Sequence, residues 1–267
     1  MRSIAKLMKD WQFTGPNGVT TAVELPHTWN ARDGQDGGND YWRGCCTYCT
    51  RFAAPVYDPA QQQVWLQFEG VNASAAVLLN GQQLCTHDGG YSTFRAEVTE
   101  LLQAENQLTV RVDNSVNDRV YPQKADFTFY GGIYRDVSLL VVNKNHIALG
   151  HFGDTGVKIT PALQENSADI RVETLVEGSG TVTVELLDAE GRTVAKGEGE
   201  NTFLHLDAPH LWNGVKDPYL YTCVVRLLQD GQPVDEVTTR VGLRSFSVDA
   251  MCAACPSSCS PSAPARR

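Results

Sequence analysis

The feature that most limits how this chain can fold is its rhythm of short apolar–polar alternations, each closed by a turn signal. Alternation with a period of two sends successive side chains to opposite faces of an extended strand, so one face can be buried while the other stays wet. Gln107–Val112 is the cleanest case, with Leu108, Val110 and Val112 on one face. Val64–Glu69 reads as a strand ending at Gly70. Ala76–Leu79 runs into Asn80-Gly81, a pair that accepts positive φ at both positions and so predicts a tight hairpin, with Gln83–Cys85 pairing back. Ile133–Val142 reads as one long strand. Val98–Leu102 reads as a single helical turn, too short to stand alone.

The same rhythm resumes after a polar break at Asn143-Lys144-Asn145. Ala168–Val176, Val182–Leu187, Tyr219–Leu227 and Val234–Val241 read as strands, separated by Gly178-Ser179-Gly180, Asp188–Gly191 and Asp230-Gly231. Such a density of short strands is what an immunoglobulin-like sandwich requires. With no helix of useful length in either half, two all-β domains in tandem are expected, at 1–143 and 144–249. The segment 250–267 is built from Ala, Cys, Pro, Ser, Met and Arg. It carries too little apolar surface to order itself, and reads as an out-of-frame or artefactual end.

The formal charge of −9 with no basic run removes nucleic acid from the partners, since a polyanion binder must displace counterions with Lys and Arg. Lys6 and Lys9 interrupt the only N-terminal stretch that could resemble a signal peptide, and no run is long enough to cross a bilayer. A cytoplasmic chain with reduced thiols is the expectation.

Cys252, Cys255 and Cys259 have ligand-like spacing, but they lack a fourth ligand and sit in the unstructured end. Cys45 and Cys46 begin a strand and point to opposite faces, where buried small hydrophobes are expected with Cys49. There is no Gly-x-Ser-x-Gly elbow. Gly34–Gly38 neither follows a strand nor opens a helix, which excludes a phosphate loop. His27 and His210 lie in loops entering strands and suit structural roles. The stretch Val120–Gly132 is dense in Tyr121, Asp126, Phe127, Phe129 and Tyr130. Aromatic faces beside a carboxylate suit a sugar, which offers C–H faces for stacking and hydroxyls for hydrogen bonds. A loop packed on a neighbouring domain through Phe127, Phe129 and Tyr130 suits the composition equally well. Pro26–Asn30 and Asn39–Gly44, which includes Arg43, have the same character, with Trp29 and Trp42 read as core plugs.

Four segments in order resemble glycoside hydrolase family 2, the β-galactosidase and β-glucuronidase group. They are Leu25–Asn30 through Tyr41–Gly44, Phe68–Asn72 through Val77–Gly81, His87–Phe94, and Asp126 through Gly131–Val137. Pro209–Trp212, Pro218–Tyr221 and Val241–Arg244 are similar to the domain that follows in that family. The resemblance runs from about Trp11 to Asp249 and is nearest the β-galactosidase branch. It implies a jelly-roll sugar-binding sandwich followed by an immunoglobulin-like sandwich. It also implies that the catalytic glutamates reside on a (β/α)8 barrel beyond the matching part, so that this chain alone is inactive. Thr47 stands where the family often has tryptophan, which would loosen local packing.

By its spacing to Gly132, Asp126 matches the family aspartate that reaches the sugar and a bound sodium. A sodium site would need barrel ligands too, so no cofactor or metal is assigned to the chain by itself. Asp126, Tyr121 and Arg43 are the candidate substrate-binding residues, with none catalytic, and the expected partner is a β-galactoside-like carbohydrate. Three functional readings follow: a truncated glycosidase, a free-standing carbohydrate-binding module, or a subunit that associates with a separately encoded barrel or forms a homo-oligomer.

Overall fold

The computed structural model describes residues 1–31, 41–121 and 127–246. The first unit is a sandwich of two antiparallel sheets. One orders the strands Ser3–Lys6, Val137–Asn143, Gln62–Phe68 and Phe94–Glu97; the other orders Thr20–Val23, Trp11–Thr14, Cys45–Ala53, Glu105–Asp113, Ser74–Leu79 and Gln82–Asp88. Leu108, Val110 and Val112 are fully buried, as their alternation predicts, and face Val64, Leu66 and Phe68 of the opposing sheet within one core. Trp11, Phe13 and Tyr48 fill one end of that core, with the Phe13 and Tyr48 rings 4.9 Å apart. Asn80 and Gly81 both take positive φ (51° and 83°) and close the predicted hairpin.

A small three-stranded sheet caps one end of this sandwich. In it Gly132–Ile133 lies between His27–Thr28 and Val71–Asn72. The run Ile133–Val142, expected as one strand, is therefore two. Residues 134–136 make the crossing between sheets, and their polar side chains hold it there. The Tyr134 hydroxyl donates to the Gly90 carbonyl, Arg135 donates to the Tyr91 carbonyl at 3.2 Å, and Asp136 pairs with Lys6 at 2.6 Å. Burial pushes the Tyr134 phenol well above its usual range, which keeps it a donor.

The second unit is also a sandwich. A three-stranded sheet (Val157–Leu163, Ser167–Thr174, Asn201–Asp207) faces a four-stranded one (Thr193–Glu198, Thr181–Leu187, Tyr221–Gln229, Gln232–Val241). Ile170, Val172, Val184, Leu186, Val225 and Leu227 form its centre. Two strands begin or end differently from expectation. The one read from Tyr219 begins at Tyr221, because the Tyr219 ring stacks on His210 at 3.9 Å and its hydroxyl accepts the Ala189 amide. The one read to Val176 ends at Thr174, and Val176–Glu177 pairs instead with His146–Ile147. Residues 250–267, together with Cys252, Cys255 and Cys259, lie outside the described residues, as do Gly34–Gly38.

The strand Val137–Asn143 joins the two units. Val137, Leu139 and Val141 enter the first core, while Leu140 and Val142 on its other face pack with Leu149 and Trp65. Burial on both faces explains why this strand reads as a nearly unbroken apolar run. Charged groups reinforce the seam. Arg2 grips Asp235 with two hydrogen bonds, and Asp235 also accepts the Ile147 amide at 2.8 Å. Arg95 donates to the carbonyls of Leu149 and Asp154 at 2.9 and 2.7 Å. Among the described residues no helix is long and apolar enough to cross a membrane.

The cysteines divide by strand face. Cys46 is buried, as expected, and burial pushes its thiol up to about 12. Cys45 is exposed, contrary to the expectation of a buried cluster, because it lies on the outward face of the same strand. Cys223 is buried, with its thiol raised to about 11. Since the thiolate is the reactive form, alkylation of the native chain at about pH 8 should mark Cys45 and spare Cys46 and Cys223 until denaturant is added. Peptide mapping checks this, and equal labelling of Cys45 and Cys46 would contradict the strand's orientation.

Candidate functional site

The capped end of the first sandwich brings together segments that are far apart in sequence. Phe127–Gly131 crosses this end, held by side chains from four segments separate in sequence. Asn114 Nδ2 donates to the Phe129 carbonyl at 2.9 Å, and Asn72 Nδ2 donates to the Tyr130 carbonyl. Asn30 Oδ1 accepts the Gly131 amide at 2.7 Å, while Thr28 Oγ1 donates to the Gly131 carbonyl at 2.8 Å. The Tyr41 hydroxyl accepts the Phe129 amide at 3.1 Å.

Three of these groups are amides in the interior, since Asn30, Asn72 and Asn114 are all buried. They also bind one another and the chain around them. Asn114 Nδ2 reaches Asn30 Oδ1 at 3.1 Å, Asn114 Oδ1 accepts the Gly44 amide at 2.8 Å, and Asn30 Nδ2 donates to the Trp42 carbonyl at 2.8 Å. A satisfied buried network of this kind fixes one conformation, because every alternative leaves a polar group unpaired in a low dielectric. Gly131 fits here because a Cβ would meet the Trp29 ring at 2.0 Å.

Arg43 belongs to this arrangement. Its Nε donates to the Asn114 carbonyl at 2.7 Å, and its guanidinium lies 4.9 Å from the centre of the Phe129 ring. Tyr121 is exposed and immediately precedes residues 122–126. Asp126 lies outside the described residues. The chain on its C-terminal side, starting at Phe127, is the pinned segment. Trp42, Phe127 and Tyr130 are exposed, so Trp42 is a surface ring rather than a core plug. The hold on this segment comes from its backbone rather than from Phe127 or Tyr130 as apolar anchors. Trp29 is partly buried and stacks on Phe13 with centroids 6.0 Å apart.

Neighbouring titratable groups are committed to structure. His27 Nδ1 contacts the Tyr48 hydroxyl at 2.7 Å, and burial lowers its basicity, which favours a neutral ring. Hydrogen bonds from Ser74 and Arg119 hold the Asp88 carboxyl below its usual range. The three asparagines hold this end together, and sequence reasoning did not single them out as site residues. Their only signal is position: Asn72 ends the short strand Val71–Asn72 of the capping sheet, and Asn114 directly follows the strand Glu105–Asp113.

The family description "Glycosyl hydrolase 2 galactose-binding domain-like" matches residues 39–162, and "Glycosyl hydrolases family 2" matches residues 151–244. The chain is 33% identical over 265 aligned residues to a beta-glucuronidase of Bacteroides fragilis, which covers 91% of this chain and 38% of that protein. It is 32% identical to a beta-galactosidase of Bacteroides ovatus, covering 90% of this chain and 31% of that one. Among solved structures, an FMN-binding beta-glucuronidase from Facaelibacterium prausnitzii L2-6 superposes with a TM-score of 0.87 at 35% identity. That match covers 93% of this chain and 40% of the other. The chain thus spans well under half the length of these relatives. Its two sandwiches match the family's sugar-binding and immunoglobulin-like domains, and the chain belongs to glycosyl hydrolase family 2.

Proposed function

We propose that this chain supplies the sugar-binding and scaffolding part of a retaining glycosidase acting on β-linked glucuronides or galactosides. Residues 1–143 would form the sugar-binding domain and 144–249 the immunoglobulin-like one. The observation that carries the reading is the rigid Phe127–Gly131 segment, whose backbone polar groups are taken up by Asn30, Asn72, Asn114 and Thr28. A carboxylate attached to such a segment, as Asp126 is by sequence, is suited to orienting sugar hydroxyls. Arg43 and Tyr121 complete the chain's share of the site. Retaining hydrolysis needs two carboxyl groups about 5–5.5 Å apart, and the barrel domain that bears them is the proposed partner, on the same polypeptide or a separate one. A reducing, cytoplasmic location, with the cysteines kept as thiols, belongs to the same proposal.

The test joins this chain to a barrel domain of the family and measures hydrolysis of aryl glucuronide and aryl galactoside. Asp126→Ala should lower kcat/KM by about 100-fold, the cost of misplacing substrate by roughly 1 Å. Wild-type turnover in that variant would remove Asp126 from the site. Calorimetry of the chain alone with the same sugars should give weak heat or none. Micromolar binding would instead favour a free-standing carbohydrate-binding module, for which the exposed Trp42, Phe127 and Tyr130 would be the platform.

A further inference from the structure

One end of the second sandwich presents apolar side chains to solvent from backbone that is firmly held. The segment 210–217 lies beside the end of the last strand, with the Trp212 amide donating to the Leu243 carbonyl at 3.0 Å. Its tip closes on itself: the Asn213 amide donates to the Asp217 carbonyl at 2.7 Å, and the Lys216 amide donates to the Asn213 carbonyl at 3.2 Å. The Tyr221 hydroxyl accepts the His210 amide at 2.9 Å, and Asp217 braces the His210 ring at 2.7 Å. Yet Leu211 is 44% exposed, and Val215 at the tip is wholly exposed. Val215 adds nothing to the core of its own sandwich, and none of the bracing involves its side chain.

Arg244 belongs to the same face. Its guanidinium carbon lies 4.6 Å over the centre of the Trp212 ring and 4.5 Å over that of Phe246, itself exposed. Among the described residues, no hydrogen bond or ion pair engages the Arg244 donors. Stacking orients a guanidinium while leaving its edge open to a planar acceptor such as a carboxylate. The carboxylate of the neighbouring segment, Asp217, is taken up by His210. Trp, Arg and apolar groups clustered on a rigid support have the make-up of an interface hot spot, and little ordering entropy remains to be lost on docking.

Resting on the reading of this chain as part of a glycosidase, we propose that Leu211, Trp212, Val215, Arg244 and Phe246 form the seat of the catalytic barrel on the second sandwich, with Arg244 receiving a barrel carboxylate. Three observations favour that occupant over a second copy of this chain. The chain spans 38% and 31% of its Bacteroides relatives, so the larger part of those proteins lies outside it. The polypeptide leaves the sandwich at this face, because the buried Leu243 directly precedes Arg244 and Phe246 is already exposed. A domain tethered there meets the face at high effective concentration. A second copy, by contrast, would bring the same face with its one carboxylate, Asp217, already engaged.

The experiment is hydroxyl-radical footprinting of the full chain, by itself and joined to a barrel domain of the family. Oxidation of Leu211, Trp212 and Phe246 should fall by about tenfold on joining. Phe203, exposed on the outward face of the three-stranded sheet, should keep its rate. Val215→Asp puts a charge at a position the fold does not use, so it should leave unfolding of the chain unchanged and restore most of the oxidation in the joined protein. Arg244→Lys keeps the charge but loses the planar fork, and should restore oxidation as well. Equal oxidation in the two forms, or full protection in either joined variant, would overturn the proposal. So would protection of the unjoined chain that grows with its concentration, which would give the face to a second copy. Turnover of aryl glycosides by the joined protein reports on the sugar site separately. Hydrolysis without protection overturns the docking face alone; protection without hydrolysis supports the face and counts against the sugar site.

Discussion

Asp235→Ala should cost about 3–5 kcal/mol of folding stability, the range for removing one partner of a buried ion pair. The carboxylate is 1% exposed and has three donors: Arg2 Nε at 2.7 Å, Arg2 Nη2 at 2.6 Å and the Ile147 amide at 2.8 Å. Without it, a guanidinium is left in the seam with only the Ile147 carbonyl to meet, and a backbone amide loses its acceptor. Urea denaturation measures the loss, and a change below about 1 kcal/mol would place this pair with ordinary surface bridges. Replacing both members by apolar residues of similar size, Arg2→Met with Asp235→Leu, should restore much of the stability. The cost arises from the stranded partner more than from attraction lost.

Asn114→Ala is the second large effect, with a loss of about 3 kcal/mol or more, since each buried group left unpaired costs about 1–3 kcal/mol. The substitution strands the Gly44 amide and the Phe129 carbonyl and removes one contact of Asn30 Oδ1. Asn114→Asp separates polarity from volume. It keeps the acceptor for Gly44 but turns a carboxylate oxygen toward the Phe129 carbonyl and Asn30 Oδ1, so it too should destabilise. In the barrel-joined enzyme the damage should appear in kcat/KM before it appears in global unfolding, because the pinned segment frees itself locally. An Asn114→Ala chain with unchanged stability and turnover would mean that the network does not position the site.

The fold was legible wherever burial has a period of two. Leu108, Val110 and Val112 announce their strand because polar residues separate them, and Asn80-Gly81 announces its turn because few other pairs take positive φ twice. Ser3–Lys6 and Thr20–Val23 were silent for the converse reason: they are almost wholly exposed edge strands with no face to betray them. The break after Ile133 was hidden because the determinants of the crossing, Gly90, Tyr91 and Lys6, lie far away in sequence. Of the capped end, only the aromatic and charged members stood out in the sequence. Asn30, Asn72 and Asn114 converge from segments far apart in sequence, and no local pattern distinguishes them from loop asparagines.

The strand Val137–Asn143, apolar on both faces, has a consequence for how the protein can be made or divided. While a ribosome has released only the first sandwich, Trp65, Leu140 and Val142 form an uncovered stripe on a completed sheet, and it stays uncovered until Leu149 and the second sandwich follow. A clone ending at Asn143 would make that stripe permanent. Such a fragment should come off a sizing column as soluble oligomers or collect in inclusion bodies, even though its own core is complete.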